Sequence, residues 1–276
     1  MPRPDASVAT ADPEFVGRLG DEFEDDAIVE IMGEIGCPTP GCDGKGQRVR
    51  IIRTLIDQPC QRCCEQAEAA RAEEERLEQV AQLLARAGCT ERMADWSFES
   101  CPDDEPGRAA KRVADQWVTS YLRRARGEPV PNLLLYGPVG GGKTGLAWSI
   151  VRHFCEQGIE ARLLNFPDLL EQMKEAYSKK VPFDKFTDLG RVSVLALDDV
   201  GAERPTEWAV AQLLSLVDRR YQRMLPTIYT SNYEPNDLAK RLSHTDSQVG
   251  KRIVSRMIEG AIQHRIRATD RRLPAA

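Results

Sequence analysis

Residues 136–145 read YGPVGGGKTG. Gly137, Pro138, Val139, Gly140, Gly141, Gly142, Lys143 and Thr144 fill the pattern G-x-x-x-x-G-K-[ST], and Gly145 follows directly. Such a loop must turn its backbone N–H groups inward onto phosphate oxygens, through dihedrals that glycine adopts at little cost. A helix opening at this point adds its positive N-terminal end. Lys143 is placed to reach the β- and γ-phosphates, and the Thr144 hydroxyl to ligate magnesium. The reading is therefore a nucleotide site for ATP with magnesium.

Working outward, the segment PNLLLYGP at 131–138 reads as a buried strand entering that loop. IEARLLNF (159–166), RVSVLALDD (191–199), PTIYTSN (226–232) and AIQHRIRA (261–268) read as four more. Helical patterns fall around 107–126, after the loop, at 167–177, from Val210 to Met224, and near 250–258. Strands alternating with helices predict an α/β fold with a five-stranded, doubly wound parallel sheet. The apolar run before Asp198 suits a sheet covered on both faces. Acids at the carboxyl end of that strand face the phosphate loop. Asp198 reads as the magnesium-organising acid and Asp199 as the group that polarises the attacking water. Asn232, ahead of Thr230 and Ser231, reads as the polar side chain that senses the γ-phosphate.

The chain has 276 residues, enough for one large domain and a smaller one. No apolar run approaches the roughly 18 residues of a membrane helix, and the acidic, Pro-rich start is unlike a signal peptide. These features give a cytoplasmic expectation with no membrane partner. Net charge is −5 but uneven. Residues 1–36 carry ten acids against Arg3 and Arg18, whereas 240–276 carry nine basic residues against Asp246, Glu259 and Asp270. Residues 1–36 read as an acidic, partly disordered segment, with Phe23, Ile28, Ile31, Met32 and Ile35 on one face of a short helix ended by Gly36.

Five of the eight cysteines lie between Cys37 and Cys64. Cys37-x4-Cys42 and Cys60-x2-Cys63 are separated by 17 residues, with Pro and Gly at the turns. Paired thiolates on turns deliver the tetrahedron that zinc wants, so 37–64 reads as a zinc-binding unit. Cys64 competes with Cys63 for the fourth position. The stretch RVRIIRTLI (48–56) reads as one strand, and 65–88 as a linker helix rich in Ala, Glu, Arg, Gln and Leu. The remainder, 89–276, reads as a single ATPase domain.

NLLLYGPVGGGKT, VLALDDVG, PTIYTSN and RIVSRMIEG occur in that order. Together they resemble the DnaC-type helicase loaders and the related IstB-type transposition ATPases, a lidless branch of the AAA+ ATPases. The resemblance covers roughly 88–272 and includes the lead-in GCTERMADWSFESC. It implies an AAA+ core without a C-terminal lid, and ATP hydrolysis that depends on magnesium. It implies that Arg256 is an arginine finger reaching a neighbour's ATP, with Arg252 beside it, and hence a head-to-tail oligomer. Arg271 or Arg272 would be a further phosphate sensor. The segment 167–190 corresponds to the extra helix of the loader and initiator branch. There Lys174, Tyr177, Lys179, Lys180 and Lys185, with Phe183 and Phe186, suit single-stranded DNA. The implied role is loading of a replicative DnaB-type helicase in DNA replication, gripped by the zinc unit. The alternative is an IstB-type helper that binds duplex DNA and a transposase.

Overall fold

The computed structural model describes residues 29–51, 54–126, 128–179, 188–202, 205–243, 247–268 and 270. The acidic stretch 1–28 and Lys180, Phe183, Lys185, Phe186, Arg271 and Arg272 lie outside the described residues, as does the Tyr177 side chain. The chain divides into two compact units, Met1–Glu78 and Gln79–Ala276.

The first unit holds an antiparallel meander, β1 (Val29–Gly36), β2 (Lys45–Ile51) and β3 (Thr54–Gln58). Two expectations are corrected here. The helix expected to end at Gly36 is instead strand β1, whose residues 29–36 pair with 45–51. Gly33 sits at φ +146 beside a register shift between Ile31 and Gly33, a β-bulge that no helix could contain. The single strand expected at 48–56 is a hairpin: Val49 pairs with Ile56, and Arg48 donates to both Asp57 carboxylate oxygens at 2.6 and 2.9 Å. Pairing between strands, which no local pattern reports, decides both cases. Val49 and Ile56 are the buried apolar residues described here, while Ile31 and Leu55 are exposed. So small a core needs a staple.

Helix α1 (Gln61–Arg86) starts four residues earlier than the composition suggested, so Cys63 and Cys64 fall in its first turn. It buries none of its residues. A separate helix from 65 is therefore corrected to one that begins inside the cysteine cluster.

The second unit contains α2 (Glu105–Leu122), β4 (Leu133–Tyr136), α3 (Lys143–Glu156), β5 (Ala161–Asn165), α4 (Phe166–Ser178), β6 (Val194–Asp198), α5 (Glu207–Gln222), β7 (Thr227–Ser231), α6 (Pro235–Leu242), α7 (Ser247–Ile258) and β8 (Ile262–Arg265). The five expected strands form one parallel sheet in the order β5-β6-β7-β4-β8. Helix α6 was not anticipated; its eight residues offer too short an apolar stripe.

Each strand feeds two cores because side chains alternate across the sheet. In β4, Leu134 packs with Leu169, Leu213, Leu238 and Ile253 on one face. Leu133 and Leu135 pack with Trp117, Leu146, Ile150 and Phe154 on the other. Burial on both faces explains the unbroken apolar runs. Arg220, 1% exposed, ties the lead-ins of two strands together. Its guanidinium donates to Leu189 O (2.7 Å) and Val192 O (2.8 Å) before β6, and to Pro226 O (2.7 Å) and Thr227 Oγ1 (2.8 Å) at β7.

Candidate functional site

The phosphate loop lies between the end of β4 and the start of α3. Tyr136 is in register with Ser231 on one side and Arg265 on the other, so the loop leaves the sheet beside the end of β7. Gly142 is the N-cap of α3 at φ +93, a left-handed conformation that a side chain would resist. Inside the loop, Lys143 is buried and its Nζ donates to Gly137 O (3.0 Å) and Pro138 O (2.8 Å). The ammonium is thus held by the loop's own carbonyls.

Asp198 ends β6 and is 4% exposed. Its carboxylate accepts from Thr144 Oγ1 (2.9 and 3.1 Å) and from Thr230 Oγ1 (2.5 Å). Burial raises its pKa, the Thr230 hydrogen bond opposes this, and the neighbouring Asp199 charge adds to the rise. A hydroxyl and a buried carboxylate in direct contact form an oxygen donor pair that fits magnesium, which takes few protein ligands beside phosphate oxygens. Asp199 has φ +57. For a non-glycine residue this is a sparsely populated region, held here by a hydrogen bond from Asp199 N to Thr230 Oγ1 at 2.9 Å. The turn places Asp199 on the nucleotide cleft together with Asn232.

That cleft encloses about 380 Å³ and is lined by Val139, Gly140, Gly142, Lys143, Thr144 and Gly145. Its other wall was not read as site from the sequence: Arg92, Trp96, Ser97, Ser100, Cys101 and Pro102. The Trp96 ring lies against the first turn of α3, where a Cβ at Gly145 would come within 3.2 Å of it. Arg152 of α3 holds that segment by donating to Ala94 O (3.0 Å) and Trp96 O (3.4 Å). The aromatics Trp96 and Phe98 in a short lead-in rich in polar residues were the available signal. Thr230, ranked behind Asn232 in the sequence, bonds both acids; Ser231 is buried and donates to Val200 O at 2.8 Å. Arg241 was also missed. It donates to Gly201 O and Ala202 O (2.8 Å) and stacks 4.5 Å from the Tyr233 ring, linking the turns after β6 and β7.

Other expected residues lie apart from the cleft. Arg252 and Arg256 do not line it; both pair with Asp218 of α5. Lys179 pairs with Glu175 at 3.2 Å. Lys174 is exposed and borders a second cavity of about 120 Å³, which Asp199 also lines.

In the first unit, the Sγ atoms of Cys37, Cys42, Cys60 and Cys63 all lie within 4.8 Å of one another. Cys42–Cys60 and Cys42–Cys63 separate by 3.6 and 3.4 Å. A thiolate tetrahedron about zinc has sulfurs about 3.8 Å apart, from Zn–S distances near 2.3 Å. The cluster therefore fits a four-thiolate metal. Amides already point at the sulfurs: Gly44 N to Cys42 Sγ (3.4 Å) and Cys60 N to Cys37 Sγ (3.3 Å). Hydrogen bonds from the Thr39 side chain and from Cys60 N pull the Cys37 thiol down to about 6. A Cβ at Gly44 would sit 2.8 Å from Cys60 Sγ, so the knuckle needs glycine there. Cys64 lies outside the cluster, its Sγ directed at Pro59 O (3.6 Å).

The IstB-like ATP binding protein model matches residues 61–273. The chain belongs to this family. Among curated relatives, the replicative helicase loader DnaI of Bacillus subtilis is 27% identical over 64% of this chain and 58% of its own length. An ATP-binding protein of insertion sequence IS1162 of Pseudomonas fluorescens is 40% identical over 44% of this chain and 52% of its own. This IstB-like protein thus spans little more than half the length of those two relatives. A DnaI crystal structure superposes with TM-score 0.57 at 25% identity, covering 66% of this chain and 94% of that one. A DnaC helicase loader structure gives 0.53 at 23%, covering 64% and 100%, and supports the AAA+ fold alone. No described helix is long and apolar enough to cross a membrane.

Proposed function

We propose that this IstB-like protein is an ATP-driven loader that places a DnaB-type replicative helicase on single-stranded DNA. The observation that carries the reading is a four-thiol cluster in its own unit, ahead of an AAA+ unit related to DnaI. In this reading zinc closes the small β-unit, and that unit grips the helicase. The ATPase unit holds ATP with magnesium at Lys143, Thr144 and Asp198. Magnesium there would neutralise charge on the phosphates. Asp199 orients and accepts a proton from water, and Asn232 meets the terminal phosphate. Lys174 on α4 and Lys179 just past its end meet DNA phosphates.

In this reading Arg256, placed by family resemblance as an arginine finger, completes the site of an adjacent copy; it is not among the residues lining the cleft of its own chain. A guanidinium suits a transition state whose charge spreads over equatorial oxygens. Assembly is then head-to-tail in the cytoplasm, and the unit of function is larger than one chain.

The test is capture of a DnaB-type helicase by the full chain and by a chain lacking residues 1–64. Capture by the full chain alone supports the reading; equal capture by both sinks the N-terminal grip. One observation favours the IstB-type alternative, the 40% identity to the insertion-sequence protein. ATP turnover raised by duplex DNA and a transposase, and untouched by single strands, would decide for it.

A further inference from the structure

Asp218, on α5, faces two arginines of α7. Its Oδ2 lies 3.4 Å from Arg252 Nη2, and its Oδ1 meets Arg256 Nη1. Asp218 and Arg256 expose only 22% and 25% of their side chains, so this is no freely solvated pair. The Tyr221 ring, one turn along α5, stands 5.7 Å from the Arg256 guanidinium. The Tyr221 hydroxyl is in turn bonded by Glu259. The end of α7 is tied down too: Asn132 Nδ2 donates to Arg256 O (3.3 Å) and Met257 O (3.2 Å), while its Oδ1 accepts from Thr227 N (2.9 Å). Backbone and guanidinium of Arg256 are thus oriented by Asn132, just ahead of β4, and by groups on α5.

One carboxylate touches two guanidinium groups, so Asp218 by itself neutralises only one of them. Held in this way, a long flexible side chain loses rotamers before it meets its target. The surrounding surface suits a protein contact, since Tyr221 is 45% and Met224 73% exposed at this end of α5. We propose that Asp218 is the positioning residue for Arg256 and Arg252, and that through them it acts on ATP held by an adjacent copy. This inference rests on the shared-site reading given above.

The experiment uses full-length protein with single-stranded DNA at assembling concentrations. Asp218→Asn is expected to lower kcat about tenfold or more, as misplacement of a catalytic group does. KM for ATP and equilibrium binding of a fluorescent ATP analogue should stay unchanged. Asp218→Glu, which keeps the charge, should restore most of kcat. Mixing Asp218→Asn with Lys143→Ala should regain activity that neither has alone, because Lys143→Ala copies lend intact arginines to intact phosphate loops. A kcat for Asp218→Asn within twofold of wild type overturns the proposal. So does a failure of that mixture while Arg256→Ala with Lys143→Ala regains activity, which would place Asp218's effect within its own chain. If neither mixture regains activity, the shared site itself fails and the proposal falls with it.

Discussion

Replacing Arg220 by Met removes a buried cation that, among the described residues, is held by neutral groups. Its guanidinium is held by three backbone carbonyls and one hydroxyl, at 2.7–2.8 Å. Burial lowers the Arg220 pKa to about 10, so it stays charged at neutral pH. Methionine fills much of the same volume but leaves Leu189 O, Val192 O and Pro226 O without this donor. At about 1–3 kcal/mol for each orphaned acceptor, the gross loss is roughly 3–9 kcal/mol. Relief from burying a charge offsets part of it. A net loss of about 3 kcal/mol is expected, which is roughly 6–12 °C in Tm for a unit of this size. All four tryptophans, at 96, 117, 148 and 208, lie in the second unit. Tryptophan fluorescence during thermal unfolding therefore reads that unit alone. Arg220→Lys should lose nearly as much, because a point ammonium cannot span carbonyls on two strand lead-ins. A Tm shift under 2 °C for Arg220→Met would refute the reasoning.

Metal analysis should find one zinc per chain, lost in Cys37→Ser and kept in Cys64→Ser; loss in both would mean the wrong fourth thiol. Trp96 lines the cleft wall opposite the phosphate loop, where it could stack on the base, so Trp96→Ala should weaken ATP-analogue binding about fivefold or more, from the lower end of base-aromatic stacking upward; unchanged affinity would mean that Trp96 does not stack on the base. Burial raises the Asp198 pKa above 3.8, so the folded chain binds that proton more tightly than the unfolded chain. Stability without nucleotide should then fall as pH rises from 3.8 through the folded value. Asp198→Asn should melt higher than wild type at neutral pH and lose that advantage in acid. A pH-independent difference would contradict the assignment.

Five strands and the phosphate loop were legible because both depend on local pattern: short apolar runs suited to a sheet covered on both faces, and glycines before Lys143. Asp198 and Asp199 were legible because they end such a strand. The β1 strand was not, since Gly33 and the pairing of Ile31 with Val49 are facts about a partner strand. Trp96 was missed because its neighbour at the cleft, Gly145, lies 49 positions further along the chain. Thr230 lies in β7, whose last residue is Ser231, whereas Asn232 falls just past that end, on the cleft. Alternation puts residues two apart on the same face, so the sequence could not rank them without the turn that follows β7. Cys64 could be separated from Cys63 only once both were placed on α1, where adjacent side chains point about 100° apart.

The central claim is best tested by helicase loading itself. A DnaB-type helicase is offered a closed single-stranded circle carrying an annealed strand, with this protein and ATP, and strand displacement is measured. The account predicts displacement with wild-type protein and little with Lys143→Ala or Arg256→Ala. Displacement that is the same with and without the protein, or with Lys143→Ala, would contradict it.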